Sequence, residues 1–381
     1  MANFSFIGKI VPVKESEKFK GYTETKYDSG WVNQKLRFNV IAGDNRHFVE
    51  INAGKWYDDK KNTTVYTMSK AEGGKKSKPI EISWEKRNDP EEINKVAGYK
   101  VFTIDTDNYE HRKALEESGD NVALEASKKK RKHFITGVDF CEYARKVVNS
   151  EKIQDMMFRI CGNIVVNYGS KNDQYYTTYE VTKIYRVADN AEPLSEVNLD
   201  FYFMEDAVDS EDYNEKGKAI VSGYSMFYDS MTKKNWFYPV SLVIAGSTDE
   251  AGKKRLAGFQ KMFDKFESDE VRKVSLVCQK IDGAQRVNIK YEDLPEDVRE
   301  NIDFGLISLE DAIKDAGGQM YGDAIRELRI EKLGRGSSKG SETTIYTVDN
   351  LNDKPHLEEK FEEVDDSDFD LFAEDDDDDL I

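Results

Sequence analysis

The sequence predicts a mainly β chain: two small antiparallel β-barrels with peripheral helices, followed by a disordered acidic tail. Three observations predict it. Short alternating segments separated by polar turns run through residues 4–105 and again through 158–244. Few stretches carry helical spacing. The acids crowd the end of the chain: the net charge is −18 over 381 residues, and Thr347–Ile381 alone holds sixteen acids against two lysines. The body in front of that tail is therefore close to neutral, and it has room for local basic grooves that the pI of 4.9 hides.

In order along the chain, residues 4–13 (FSFIGKIVPV) read as a strand. In 31–41 (WVNQKLRFNVI), Leu36, Phe38 and Val40 share one face while Trp31, Asn33, Lys35 and Arg37 share the other, the period of a half-buried strand. Gly43-Asp44-Asn45-Arg46 is a turn signal, and 47–56 returns as a strand. Strands are expected again at 80–86 and 98–105, with a basic loop, SKAEGGKKSKP, at 69–79. A polar stretch from about 106 ends in the basic run KKKRK at 128–132, and Thr136 opens a short helix over 136–149. Strands resume at 158–168, 174–187, 197–205, 218–229 and 235–244. A helix is expected at 251–267, where Leu256, Phe259, Phe263 and Phe266 recur at helical spacing. A strand is expected at 271–281 and helical segments near 307–316 and 322–329. The expected units are a barrel at 1–135, a helical connector at 136–150, a second barrel at 151–333, a linker and last strand at 334–348, and a disordered tail at 349–381. The second block repeats the strand order of the first, which suggests a duplicated architecture.

Other classes find little support. Cys141, Cys161 and Cys278 are far apart and form no metal or disulfide pattern. The four histidines, His47, His111, His133 and His356, lack metal-type or nucleophile-type spacing. GGKKS at 73–77 lacks the glycine that a phosphate loop needs five positions before Gly74, where Ser69 stands, and Pro79 falls where a helix would run. No catalysis, cofactor or metal is expected. The chain has no apolar run of 18 residues and no secretory signal at its start, so it is expected to have no membrane partner and to be cytoplasmic.

What remains is a pattern of aromatic residues interleaved with lysine and arginine on alternating strands. Sequence-independent binding of a single nucleic-acid strand needs cations along the phosphates and flat side chains under the bases. Trp31, Lys35 and Arg37 lie on one strand face. Arg46, His47, Trp56, Tyr57, Lys60 and Lys61 belong to the next hairpin, and Lys75, Lys76 and Lys78 to the long loop. Trp84, Lys86 and Arg87 repeat the combination. In the second block the candidates are Tyr175, Tyr176, Tyr179, Lys183, Tyr185 and Arg186, then Tyr228, Lys233, Lys234 and Trp236. Phe6, Phe38 and Phe48 are expected in the core. The face that carries Tyr175, Tyr179 and Tyr185 also carries Val181 and Val187, so it reads equally as core and as stacking surface. An acidic DNA mimic that binds a DNA-processing enzyme is the rival class, and a metal-dependent nuclease a further one.

The succession FSFIGKIV, WVNQKLRFNVI and HFVEI resembles the opening strands of the OB-fold in single-stranded DNA-binding proteins of bacteria and their phages. The tail end EDDDDDLI is similar to the acidic tip of that family. The resemblance implies OB-like barrels and sequence-independent binding of single-stranded DNA in replication, recombination or repair. It also implies docking of a helicase, polymerase, primase or recombinase through the tip. Asp375, Asp376, Asp377, Asp378 and Asp379 would be the acidic run and Leu380 and Ile381 the docking pair, with Phe369, Leu371 and Phe372 set among the charges. Family tips usually end in Pro-Phe, and here the pair is Leu-Ile. The large tyrosine-rich second block makes a phage-encoded version the nearer match.

Overall fold

The alternating segments form strands that close on themselves twice. The computed structural model describes residues 2–16, 19–71, 76–169, 174–211, 213–229, 232–246, 249–263, 270–287, 291, 294–309, 311–312 and 320–353. The acidic run and the docking residues from Phe369 to Ile381 lie outside them.

The first closure uses β1 (Asn3–Pro12), β3 (Trp31–Ala42), β4 (Asn45–Trp56), β9 (Met157–Gly169) and β10 (Gln174–Arg186). β1 pairs antiparallel with β3, and β3 with β4 from Trp31↔Trp56 to Ala42↔Asn45. β4 meets β10 in parallel at Glu50↔Glu180. β10 runs antiparallel to β9, which returns antiparallel to β1 from Asn3↔Asn163 to Lys9↔Met157. The short β2 (Tyr22–Lys26) continues the β1 edge of β3. Between β4 and β9 the chain carries a hairpin of β5 (Thr64–Met68) and β6 (Pro79–Ser83), then α1 (Pro90–Lys95), β7 (Phe102–Asp105), α2 (Tyr109–Ser118), α3 (Asn121–Lys128), β8 (Arg131–Phe134) and α4 (Gly137–Val148). The Thr136 side chain caps α4 as expected, accepting from the Asp139 amide, and Phe140, Cys141, Ala144 and Val148 pack into the barrel core.

The second closure repeats the first. β11 (Leu194–Phe203) pairs antiparallel with β13 (Lys218–Asp229), which the two-residue β12 (Val208–Asp209) edges, and β13 pairs antiparallel with β14 (Lys234–Ala245). β14 meets β16 (Met320–Leu333) in parallel, β16 pairs with β15 (Arg272–Val287), and β15 returns to β11. α5 (Tyr213–Lys216) sits ahead of β13, α6 (Glu250–Phe263) joins the third and fourth ring strands, and α7 (Glu296–Asp303) lies between the fourth and fifth. Five strands in a ring, a helix between the third and fourth, and a parallel contact between the third and fifth make two OB-type barrels. A short β17 (Glu342–Thr343) and α8 (Val348–Asn352) follow.

The rings span 3–186 and 194–333, so the boundary near 150 falls inside the first barrel. Its last two strands, 157–186, are the residues that the sequence places in the second unit. The correction has a topological cause: α4 reads as a connector between units, whereas an OB ring carries its helix between strands three and four. Three local corrections follow. Residues 106–133 hold α2 and α3. The segment 322–329 is part of strand β16, where Leu328 and Ile330 face inward between Glu327, Arg329 and Glu331. The expected strand at 80–86 ends at Ser83 and tightens into a 3₁₀ turn over Trp84–Lys86. Of the helix expected at 307–316, residues 310 and 313–316 lie outside the described set.

A seam joins the barrels. The first half of β1 also pairs with β11, from Asn3↔Asn198 to Ile7↔Leu194. Phe6 stacks on His47 with ring centroids 4.1 Å apart, and Phe4 and Phe6 both contact Tyr179.

Candidate nucleic-acid interface

In an OB barrel, oligonucleotides lie across the second and third strands and the loops beside them. In the first barrel those strands are β3 and β4. Inward go Leu36, Phe38, Val40, Val49 and Ile51. Outward in cross-strand pairs go Trp31 with Trp56, Asn33 with Gly54, Lys35 with Asn52, and Arg37 with Glu50. The two indoles meet edge to face, 5.3 Å between centroids at 87°, and Trp31 keeps 37% of its surface exposed. Gly54 is required beneath it, since a Cβ there would stand 2.5 Å from the Trp31 ring. The turn before Trp31 uses Gly30 at φ +83°, and the Gly30 carbonyl accepts from the Tyr57 amide at 2.8 Å. Asn62 clamps the Trp56 backbone by bonding both its N–H, 3.0 Å, and its carbonyl, 2.9 Å.

Cations surround this aromatic pair. Lys61 Nζ lies 5.3 Å from the Trp56 ring, and Lys26 Nζ lies 3.3 Å over the ring of Tyr57, itself 65% exposed. Lys60 is exposed on the same turn, and Lys35 is half-buried on the strand face. The structure thus brings together Trp31, Lys35, Trp56, Tyr57, Lys60 and Lys61. It adds Lys26, which the sequence gives no reason to single out beyond its place beside the turn at 27–30.

The other half of the same face is covered. Between β1 and β2, Phe19 lies over Phe48, 5.7 Å, and Arg37, 5.5 Å. Arg37 is 6% exposed and pairs with Glu50 at 3.4 Å. It is therefore a buried structural cation. Phe48 is an outer-face residue under Phe19, whereas Phe6 and Phe38 are in the core as expected. Burial and the neighbouring Glu50 push the Glu180 carboxyl up to about 7.

Several other candidates hold the fold. His47 is 0% exposed, faces the seam and shares a 2.6 Å hydrogen bond with the Ser195 hydroxyl. Burial, helped by Lys280, pushes its pKa down to about 3. Trp84 packs on a small cluster with Val65, Ile82, Val96 and Ile135; Arg87 stacks on it at 4.4 Å and bonds Asp139 at 2.8 Å. Tyr175 meets Tyr238 of the second barrel at 5.0 Å, so this face is core and seam, and burial raises the Tyr179 hydroxyl's pKa. Tyr185 is half-buried with a raised pKa, and Arg186 bonds Asp189 at 3.4 Å. The Trp236 indole donates to the Thr232 hydroxyl at 2.8 Å. Arg46, Lys76, Lys78, Lys86, Lys233 and Lys234 are exposed, Tyr176 and Lys183 are half-buried, Tyr228 is 37% exposed, and Lys75 lies outside the described residues.

The basic run at 128–132 is also largely spoken for. Lys128 pairs with Glu125, Lys130 with Asp107 and Arg131 with Asp105. Burial opposes ionisation of Asp107, but hydrogen bonds from Ser127, Lys130 and His111 prevail and hold its carboxyl down to about 2. Among the described residues no group of histidine, cysteine and acids has a metal-holding arrangement, and no helix is long and apolar enough to cross a membrane.

No family model matches the chain, and no curated protein matches it. Two crystal structures of the single-stranded DNA binding protein from Thermus aquaticus align with it, the wild type and a deletion mutant. Both are 7% identical with a TM-score of 0.32; the alignment covers 88% of this chain and 92% and 94% of those.

Proposed function

We propose that this protein binds single-stranded DNA without sequence preference through the first barrel. The observation that carries the proposal is the Trp31–Trp56 pair on β3 and β4, with Trp31 exposed and Trp56 half-buried, Lys61 beside Trp56, Lys26 over the neighbouring Tyr57, and Lys35 and Lys60 on the same strand and turn. Bases stack on flat side chains irrespective of identity, at roughly 1–3 kcal/mol each, while lysines follow the phosphates. The proposed role is binding, in replication or recombination. The acidic tail, with Phe369, Leu371, Phe372, Asp375 to Asp379 and the Leu380–Ile381 end, is proposed to recruit a helicase, polymerase, primase or recombinase.

An electrophoretic shift of labelled oligo(dT) against the protein at low and high salt tests the proposal. Binding that weakens steeply with salt is expected. No shift at low salt would leave the acidic interaction protein as the better description.

A further inference from the structure

We infer that the second barrel carries a second single-strand site, held shut by the chain's own residues 342–352. The inference rests on the proposed function and extends it. In the second barrel the strands equivalent to β3 and β4 are β13 and β14. Their outward residues include Tyr224, Met226 and Phe237, with Met226↔Phe237 and Tyr224↔Pro239 as cross-strand pairs. Tyr202 of β11 completes an aromatic patch with Phe237, 4.9 Å away.

This patch is covered by a strap. Glu342 and Thr343 pair with Lys273 and Arg272 at the start of β15, and the Thr344 amide donates to the Val271 carbonyl at 3.0 Å. The Tyr346 ring then lands between Tyr202, 5.7 Å, and Phe237, 4.9 Å, both edge to face. Val348 and Leu351 of α8 pack on the same cluster, and the Tyr224 hydroxyl donates to the Asn352 side chain at 3.2 Å.

The strap is built from short elements. The strap has a two-residue strand and a five-residue helix, and Ile345 stands 92% exposed beside Tyr346. Segments with few buried contacts open at low free-energy cost. Bases supply the same flat surfaces that Tyr346 supplies, at the position where an OB barrel takes its strand. The strap therefore stands in for a bound strand, keeps the second barrel closed while DNA is limiting, and yields only to excess DNA.

The test uses the full chain and Val348→Asp/Leu351→Asp, titrated with poly(dT) under stoichiometric conditions. Opening the strap lengthens the occluded site by about 4–16 nucleotides, the span of one OB barrel. Adding Tyr224→Ser and Phe237→Ser to the opened chain removes the gain. An unchanged site length in the opened chain, with binding intact, overturns the inference and leaves the first-barrel proposal standing. Binding only by the opened chain keeps the inference and overturns the first-barrel proposal, and binding by neither overturns both. Should the substituted chains misfold, hydrogen exchange on the unaltered protein decides. Saturating poly(dT) deprotects the Thr344 and Leu351 amides if the strap leaves, and retained protection contradicts it.

Discussion

The outer faces of the two barrels share a strand topology and a pair of aromatic residues, and differ in charge and in cover. On β3 and β4 the outward residues at the open end are Trp31, Trp56, Asn33, Lys35 and Asn52, with Gly54 making room for an indole. On β13 and β14 they include Tyr224, Met226 and Phe237, and the chain covers them with Tyr346, Val348 and Leu351. The same ring of strands thus presents one polar, cationic, open platform and one apolar, covered patch. A fold positions a face; the outward side chains decide what it binds.

Four experiments probe the difference between the two faces, in descending order of effect. Arg37→Ala removes one partner of a buried ion pair and leaves Glu50 and Glu180 facing each other; the expected loss is about 3–5 kcal/mol of stability in a denaturant melt. An unchanged melt with weakened DNA binding would instead make Arg37 a phosphate ligand and extend the open half of the face over it. Next, Trp31→Ala with Trp56→Ala should weaken oligo(dT) binding by about 1–3 kcal/mol for each stack removed. Phe237→Ser alone should leave the affinity of the closed chain unaltered.

The third experiment is pH-dependent and separates face from seam. Glu180 titrates near 4.5 when unfolded and is raised to about 7 in the fold. Its contribution is full below 4.5 and is lost as pH rises to 7. The unaltered protein should therefore lose about 1.4 kcal/mol per pH unit over that window relative to Glu180→Gln. His47 at the seam behaves oppositely. Its pKa falls from 6.5 to about 3, so its contribution is full above 6.5 and is lost as pH falls towards 3. Melts of both proteins across pH 4.5–7 check the signs; parallel curves would mean that Glu180 ionises normally. The smallest effect is electrostatic: Lys60→Gln with Lys61→Gln should flatten the salt dependence of binding by about 0.7 in log–log slope for each phosphate no longer neutralised.

Much of this was legible in the sequence, where the physics is local. The alternation of 31–41 placed Leu36, Phe38 and Val40 inside and Trp31 and Lys35 outside, and the Thr136 cap marked the start of α4. What escaped depends on distant residues. His47 is buried because Ser195 meets it across the seam and Phe6 of its own barrel stacks on it. Arg87 is fixed by Asp139 and in turn covers Trp84, and Arg37 is covered by Phe19, which carries no strand signal. The misplaced boundary at 150 had a readable counterpart. The second block also runs three strands, a helix at 250–263 and two more strands, and laying that order on the first block assigns 157–186 to the first barrel.

The central claim is that bases stack on the Trp31–Trp56 pair of the first barrel. The most direct measurement is tryptophan fluorescence during oligo(dT) titration at low and high salt, in the unaltered protein and in Trp31→Phe/Trp56→Phe, which keeps Trp84 and Trp236. Strong quenching that fades with salt and is lost in the double variant is the predicted result. Quenching that persists undiminished in the double variant would place the bases elsewhere and contradict the account.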